Sequence, residues 1–297
     1  MWVQSDGQLG EDIYQVTTIT SSHLLVIGEN AAIIDTGIAA TAEELIHKIN
    51  EVLPDDCRLS QVFLCHDEFD HVGGIASLRK AYPGLQVMAS TGVAAKLADP
   101  DFLRTSYAEQ SKHAAALQQE MTIPIEEWCS LTSVDHTIKP GDHFHLGYDV
   151  EIRVIDASGY RSNQLGYYVM PDKCIVAAEA VGSYHGRDKS VPSFSDNFND
   201  YMNTLDRIAQ LDLSVVALPH AGAITGELAQ KFIDQIREAA TALRTNLKDR
   251  INSGEIIDNI LPALIAEWDL NSLSPDGPFA GLRRKTAEGM IRQAASD

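Results

Sequence analysis

The sequence predicts an α/β fold: a layered sandwich with sheets inside, helices outside, and a helical extension at the C-terminus. Three observations carry this. Short β-branched, apolar segments come first, arranged as hairpins. They then alternate with helix-periodic segments, twice over, as layered α/β architectures require. After Gly226 only helical periodicity is left. The chain has 297 residues, 44% of them hydrophobic, so it can bury a sizeable core.

The elements follow in order. Ile13–Ile19, Ser22–Ile27 and Ala31–Ile34 read as strands, broken by the turn signal Gly28-Glu29-Asn30. Ile34-Asp35-Thr36-Gly37 ends a strand. Thr41–Val52 places Leu45, Ile46, Ile49 and Val52 on one helical face behind a Thr cap. Gln61–Cys65 is a short buried strand, Val72–Tyr82 a helix and Leu85–Ala89 a strand. Residues 91–120 are Ala- and Gln-rich and mostly helical. Val150–Ile155, Gln164–Met170, Cys174–Ala177 and Leu213–Leu218 are further strands, with a helix over Phe198–Leu211 before the last. Glu227–Ser253, Ile256–Trp268 and Phe279–Ala295 are helical, separated by Gly254 and by the Ser-Pro-Asp-Gly-Pro run at 274–278. The expected division is an α/β domain over 1–226 and a helical cap over 227–297.

Charge excludes several classes. Lys and Arg number 23 against 42 Asp and Glu, a net charge of −19. A general nucleic-acid binder needs a basic face to displace counterions, and docking on anionic membranes needs the same sign. No apolar run approaches the roughly 18 residues of a membrane-spanning helix. Met1-Trp2-Val3-Gln4-Ser5-Asp6 lacks the basic start and apolar stretch of a signal peptide. None of Cys57, Cys65, Cys129 and Cys174 forms a C-x-x-C pair, so neither a disulfide framework nor a thiolate zinc site is expected. The expectation is a cytoplasmic protein with a small-molecule substrate, no nucleic-acid partner and no membrane partner, with a homodimer left open.

The chemistry concentrates in Cys65-His66-Asp67-Glu68-Phe69-Asp70-His71-Val72-Gly73-Gly74. His66, Glu68, Asp70 and His71 fall directly after a strand. Alternate residues 66, 68 and 70 share a side in extended chain, and the Gly pair permits a tight turn. The bland alternative is a solvated acidic loop with two chance histidines. A position between an apolar strand and a Gly-Gly turn argues against it.

This loop resembles the H-x-[HE]-x-D-H signature of the metallo-β-lactamase superfamily. Supporting segments follow in order. Ile34-Asp35-Thr36-Gly37 resembles that fold's strand-ending aspartate turn. Ser158-Gly159-Tyr160 with Gly166-Tyr167-Tyr168 resembles its "PGH" segment and the following strand. Ala178-Glu179-Ala180 resembles the segment supplying a bridging carboxylate, and Pro219-His220-Ala221-Gly222 the last histidine motif. Spacings of 89 residues from His71 to Tyr160, 19 to Glu179 and 41 to His220 fit. The resemblance implies an αβ/βα four-layer metallo-β-lactamase sandwich. It also implies two divalent metal ions, the first on His66 and Glu68, the second on Asp70, His71 and His220, with Glu179 between them. The implied reaction is hydrolysis of an ester or thioester through a metal-bound hydroxide, with Asp70 orienting or deprotonating the water.

Three departures shape the remaining expectations. Glu68 replaces the usual second histidine, as in diiron members of the superfamily, and a harder oxygen ligand favours iron, with zinc or manganese as alternatives. Tyr160 stands at the third histidine, as a phenolate ligand, a proton donor or a lost ligand, with Asp156 as a reserve ligand. Glu179 is one methylene longer than the usual Asp. The alternatives are therefore oxygen-dependent diiron chemistry, or a sensor or interaction protein with a degenerate site. His185 is a candidate substrate or proton-transfer residue, and His113 a weaker one that could reach the mouth. His143 and His145 read as surface residues before a strand. Asp35 reads as an acceptor that orients the ligand loop. The C-terminal helices resemble those of the quinolone signal response branch of the superfamily, of thioesterase type. That implies a tail that narrows the entrance; packing or a dimer surface is the equal alternative.

Overall fold

Side chains that alternate in direction along mostly apolar strands build two sheets that pack face to face. In the computed structural model, residues 1–186, 189–268 and 280–296 are described. The 274–278 run and the expected helix start at Phe279 lie outside the described residues. The first strand, β1 (Trp2–Val3), joins the second sheet. Strands β2 (Gly7–Gln8), β3 (Ile13–Thr17), β4 (Ser22–Ile27), β5 (Ala31–Ile34), β6 (Leu59–Phe63), β7 (Gln86–Ala89) and β8 (His136–Thr137) form the first sheet in that order. Its pairing is antiparallel as far as β5 and parallel beyond. Strands β9 (His143–Gly147), β10 (Val150–Asp156), β11 (Leu165–Met170) and β12 (Cys174–Val176) follow. After them come the small ladder of β13 (Ser183–Tyr184) with β14 (Ser190–Val191), then β15 (Val215–Leu218) and β16 (Gly222–Thr225). The second sheet runs β1-β16-β15-β12-β11-β10-β9.

Alternation along β5 and β6 shows how the layers are made. Ala32, Ile34, Phe63 and Cys65 point between the sheets, where they meet Ile152, Tyr167, Val176 and Ala217 of the second sheet. Ala31, Ile33, Val62 and Leu64 point outward. That outer face is covered by helices α1 (Ala42–Val52), α2 (Phe69–Val72), α3 (Ile75–Ala81), α4 (Thr91–Leu97), α5 (Pro100–Ala116) and α6 (Ile125–Leu131). Leu45, Ile49, Ile75, Leu78 and Trp128 supply its apolar contacts. Helix, sheet, sheet, helix is the four-layer order expected from sequence.

The other outer face carries α7 (Phe198–Ala209), α8 (Glu227–Asn252), α9 (Ile257–Trp268) and α10 (Ala280–Ala295). Ile175, Val216, Leu218 and Ile224 of the sheet share one cluster with Leu205 of α7, Phe232 and Ile236 of α8, Leu261 of α9 and Met290 of α10. The tail therefore packs into the outer layer of the second sheet. Among the described residues no helix is long and apolar enough to cross a membrane.

Several boundaries differ from expectation for local reasons. The helix anticipated over Val72–Tyr82 is two helices, because Gly73-Gly74 breaks it. The 91–120 region splits where Asp99 caps a helix starting at Pro100. His143 and His145 lie within β9 rather than before a strand. β16 was not anticipated: four residues beginning with Gly carry little strand signal alone, and pairing with β15 and β1 makes them one.

Gly159 fixes the approach of the β10–β11 loop to α7. Its φ is +127°, and a Cβ there would lie 2.3 Å from the backbone N and Cα of Tyr201. Its carbonyl accepts the N–H groups of Asp196 and Asn197, each at 3.0 Å, at the start of α7. Gly159→Ala is expected to destabilise the fold by about 3 kcal/mol, from backbone strain plus overpacking. Chemical denaturation checks this, read as a lowered midpoint with an unchanged slope.

Candidate metal centre

The centre is assembled by two turns pressed together at the ends of β5 and β6. Asp35, at φ 59°, ends β5. Its Oδ1 accepts the Cys65 N–H at 2.8 Å and its Oδ2 lies 2.8 Å from His71 Nδ1. Thr36 adds an N–H and a hydroxyl donated to the His71 carbonyl, both at 2.8 Å. Gly74 is required at this contact, because a Cβ would meet the Thr36 carbonyl at 2.4 Å. Glu68 stands at the N-cap position of the short α2 without a side-chain capping bond, and α2 carries Asp70 and His71 into the interior. Glu179 arrives on the 3-10 turn Ala178–Val181 after β12. His220 follows β15, with its Nδ1 3.2 Å from the Thr20 carbonyl. That contact turns Nε2 toward the centre.

His66 Nε2 lies 2.6 Å from Glu179 Oε2, and His71 Nε2 and His220 Nε2 each lie 3.3 Å from Glu179 Oε1. His220 Nε2 is also 3.3 Å from Asp70 Oδ2. Two sets bring their ligand atoms within 4.8 Å of one another: His66, His71 and Glu179, and Asp70, His71 and His220. Both Asp70 carboxylate oxygens and His71 Nε2 are buried without a hydrogen-bond partner. Buried polar atoms are rarely left so, and each such group calls for a partner. A divalent cation fits this donor set of imidazole nitrogens and carboxylate oxygens.

The electrostatics are those of buried opposite charges. Burial would pull the His71 pKa down, but Asp35, Glu179 and Asp70 hold it well above the imidazole range. His220 behaves alike and is pushed up to about 10, with Asp70 and Glu179 opposing burial. Glu179 is held well below the carboxylate range, where His71 and His66 outweigh desolvation.

Glu68 and Asp156, both expected among the ligands, are engaged elsewhere. Glu68 accepts the Tyr160 O–H at 2.7 Å and pairs with the Arg161 guanidinium. Tyr160 and Arg161 both reach Glu68 from the β10–β11 loop. Asp156 caps its own loop, accepting the Ser158 N–H at 3.0 Å, and pairs with Arg207 at 3.2 Å. Neither belongs to a donor set. Tyr160 is buried, its hydroxyl 3.4 Å from Thr286 of α10, and burial together with Glu68 pushes its pKa well above the phenol range. It stands here as a neutral phenol.

Two cavities adjoin the centre. One of about 540 Å³ reaches Asp70, Tyr160, Glu179 and His220, with Trp2, Tyr184 and His185 among its walls. His185 Nε2 is 3.0 Å from Ser183 Oγ. The other, of about 550 Å³, reaches His66 and Glu68, with Val93, Phe102 and His113 in its lining. His113 stacks on Phe69 at 4.3 Å. Leu282 of α10 lines both. Arg161, Thr286 and Leu282 were not anticipated. Arg161 had one signal: a carboxylate headed for the interior needs a cation.

A two-sheet αβ/βα sandwich with imidazoles and carboxylates gathered at the strand ends defines a class, and comparison agrees. Residues 16–220 match the metallo-beta-lactamase superfamily, to which this chain belongs. A probable metallo-hydrolase, YflN of Bacillus subtilis, is 25% identical over 159 residues, 46% of this chain. The match spans 56% of that relative's length. An archaeal metallo-beta-lactamase superfamily protein from Sulfolobus tokodaii superposes with a TM-score of 0.57 at 18% identity, covering 94% of this chain and 93% of its own. A metallo-beta-lactamase from Cronobacter sakazakii gives 0.57 at 20% identity, with 82% and 95% covered. MIM-1 from Novosphingobium pentaromativorans gives 0.56 at 18%, with 84% and 91% covered. At such identities the solved structures speak for the fold alone.

A change at Asp35 tests the geometry while leaving every donor side chain in place. Asp35→Asn keeps size and tolerance of positive φ but removes the charge that orients His71. Metal affinity, measured by competition with a coloured chelator, is expected to fall about 10- to 100-fold, the usual effect of losing a carboxylate behind a ligating histidine.

Proposed function

We propose that this protein is a metal-dependent hydrolase acting on an ester or thioester. The observation that carries the reading is the buried Asp70 carboxylate, which makes no hydrogen bond and lies with Glu179 and His220 on the wall of a 540 Å³ cavity, next to a His71 Nε2 that makes none either. His71, Asp70, Glu179 and His220 would hold a divalent ion, with His66 beside Glu179. Such an ion, when bound, polarises a carbonyl and lowers the pKa of water toward neutrality.

The chain's own residues supply the rest. Asp35 and the Thr20 carbonyl aim the two imidazoles. Asp70 offers a carboxylate oxygen that can accept the proton of an attacking water. Trp2, Tyr184 and Leu218 give the cavity apolar walls, and Ser21, Ser183 and Thr286 give it hydroxyls. That mixture suits an acyl chain with a polar head. The relation to a probable metallo-hydrolase and the thioesterase-type resemblance of the tail support the same reading. Oxygen-dependent diiron chemistry draws on Glu68 as an iron ligand, and the engagement of Glu68 with Arg161 and Tyr160 favours the hydrolase reading over it.

A panel of acyl thioesters and aryl esters, assayed with metal-reconstituted protein, tests the reading. Turnover is expected to fall at least about a hundredfold on chelation, in keeping with several kcal/mol of charge stabilisation lost, and to return on reloading. His220→Ala should not be rescued by metal. Loading at a hundred times Kd should stabilise the fold by about 2.7 kcal/mol, seen as a raised Tm. Oxygen uptake by the reduced protein with no acyl turnover would sink the proposal.

A further inference from the structure

We infer that this chain holds one metal ion, on Asp70, His71, Glu179 and His220, and that the Arg161 guanidinium locked to Glu68 and Tyr160 occupies the role of a second ion. The inference rests on the metal-dependent reading above and narrows it. The two donor sets are not independent, because both use His71. His71 has a single nitrogen to give, since Nδ1 is held by Asp35 at 2.8 Å. Two ions cannot each take the same Nε2 lone pair.

The open carboxylate oxygens are also one-sided. Asp70 Oδ1 and Oδ2, which make no hydrogen bond, belong to the set with His220, whose Nε2 is 3.3 Å from Oδ2, while His71 Nε2 is common to both sets. On the other side every candidate donor is committed. Glu68 meets the Tyr160 hydroxyl at 2.7 Å and the Arg161 guanidinium. His66 Nδ1 accepts the Glu68 N–H at 3.3 Å, which assigns the remaining proton of a neutral ring to Nε2, facing Glu179 Oε2 at 2.6 Å. His66 is thereby a positioning residue for Glu179.

Arg161 completes the argument. Its guanidinium packs 4.2 Å above the Tyr160 ring, and its side chain is 13% exposed, with that of Glu68 at 8%. A guanidinium does not lose its proton in proteins. The buried Glu68 charge is therefore balanced by a permanent cation. A second divalent ion would have to displace that pair and sit beside its positive charge, where a low dielectric magnifies repulsion.

The test is metal stoichiometry on the full chain. Protein stripped with chelator is reloaded with excess Mn(II) or Zn(II), desalted and analysed by elemental mass spectrometry, and the Mn(II) form by electron paramagnetic resonance. One equivalent and the spectrum of an isolated Mn(II) are expected. Glu68→Gln, confirmed folded by its melting curve, should still bind one equivalent, whereas His220→Ala should lose it. Two equivalents, or an exchange-coupled spectrum, in the natural chain would overturn the inference and leave the hydrolase reading standing. So would loss of the single equivalent in folded Glu68→Gln. Failure of the natural chain to bind any metal would overturn both. The natural chain decides the outcome even where a variant does not fold.

Discussion

The Asp35 carboxylate ties the site to the fold. Its two oxygens serve two donors, the Cys65 N–H and the His71 ring, and so join the end of β5 to the loop that leaves β6. The residue is almost fully buried, where an unpaired charge would be untenable. Its position therefore compels the loop to come to it. Burial raises the Asp35 pKa, but His71 and His66 oppose this and hold it below the ordinary range. With Nδ1 of His71 fixed in this way, Nε2 has one direction to face. Asp70, Glu179 and His220 are arranged about that direction.

Charge economy explains the unequal halves of the centre. Glu68, Asp70 and Glu179 all enter the interior of a chain that already carries −19. Buried carboxylates need cations or donors, and two different solutions stand side by side. Glu68 is neutralised internally by Arg161 and further satisfied by Tyr160. Asp70 is left with unpartnered oxygens near a histidine. The same loop that brings Arg161 also brings Tyr160, and Gly159 lets that loop lie against α7. A backbone requirement at one glycine thus bears on which carboxylates remain open.

The C-terminal helices join the structure in two ways. Ala287, Met290 and Ile291 of α10 enter the apolar cluster on the outside of the second sheet. The same helix turns Thr286 toward the Tyr160 hydroxyl and Leu282 toward both cavities. Packing and shaping of the cavities were opposed readings of the sequence. A helix has two faces, and here they serve both purposes.

The layer order was legible in the sequence because burial on both faces of β5, β12 and β15 requires near-continuous apolar runs, and a helix must show a 3.6-residue stripe. The loop of His66, Asp70 and His71 was legible because those residue types crowd a strand end. Glu179 and His220 were recognised through ordered, matching segments. The partner of Glu68 was not legible. Arg161 is 93 residues away, and nothing in local pattern says which of several cations will meet a given carboxylate. The sharing of His71 between two donor sets was hidden for the same reason: spacing names the donors, but only three-dimensional direction counts lone pairs. Local sequence determines which groups must be buried or turned. Tertiary packing decides which of them find each other, because that depends on the approach of chain segments that share no periodicity.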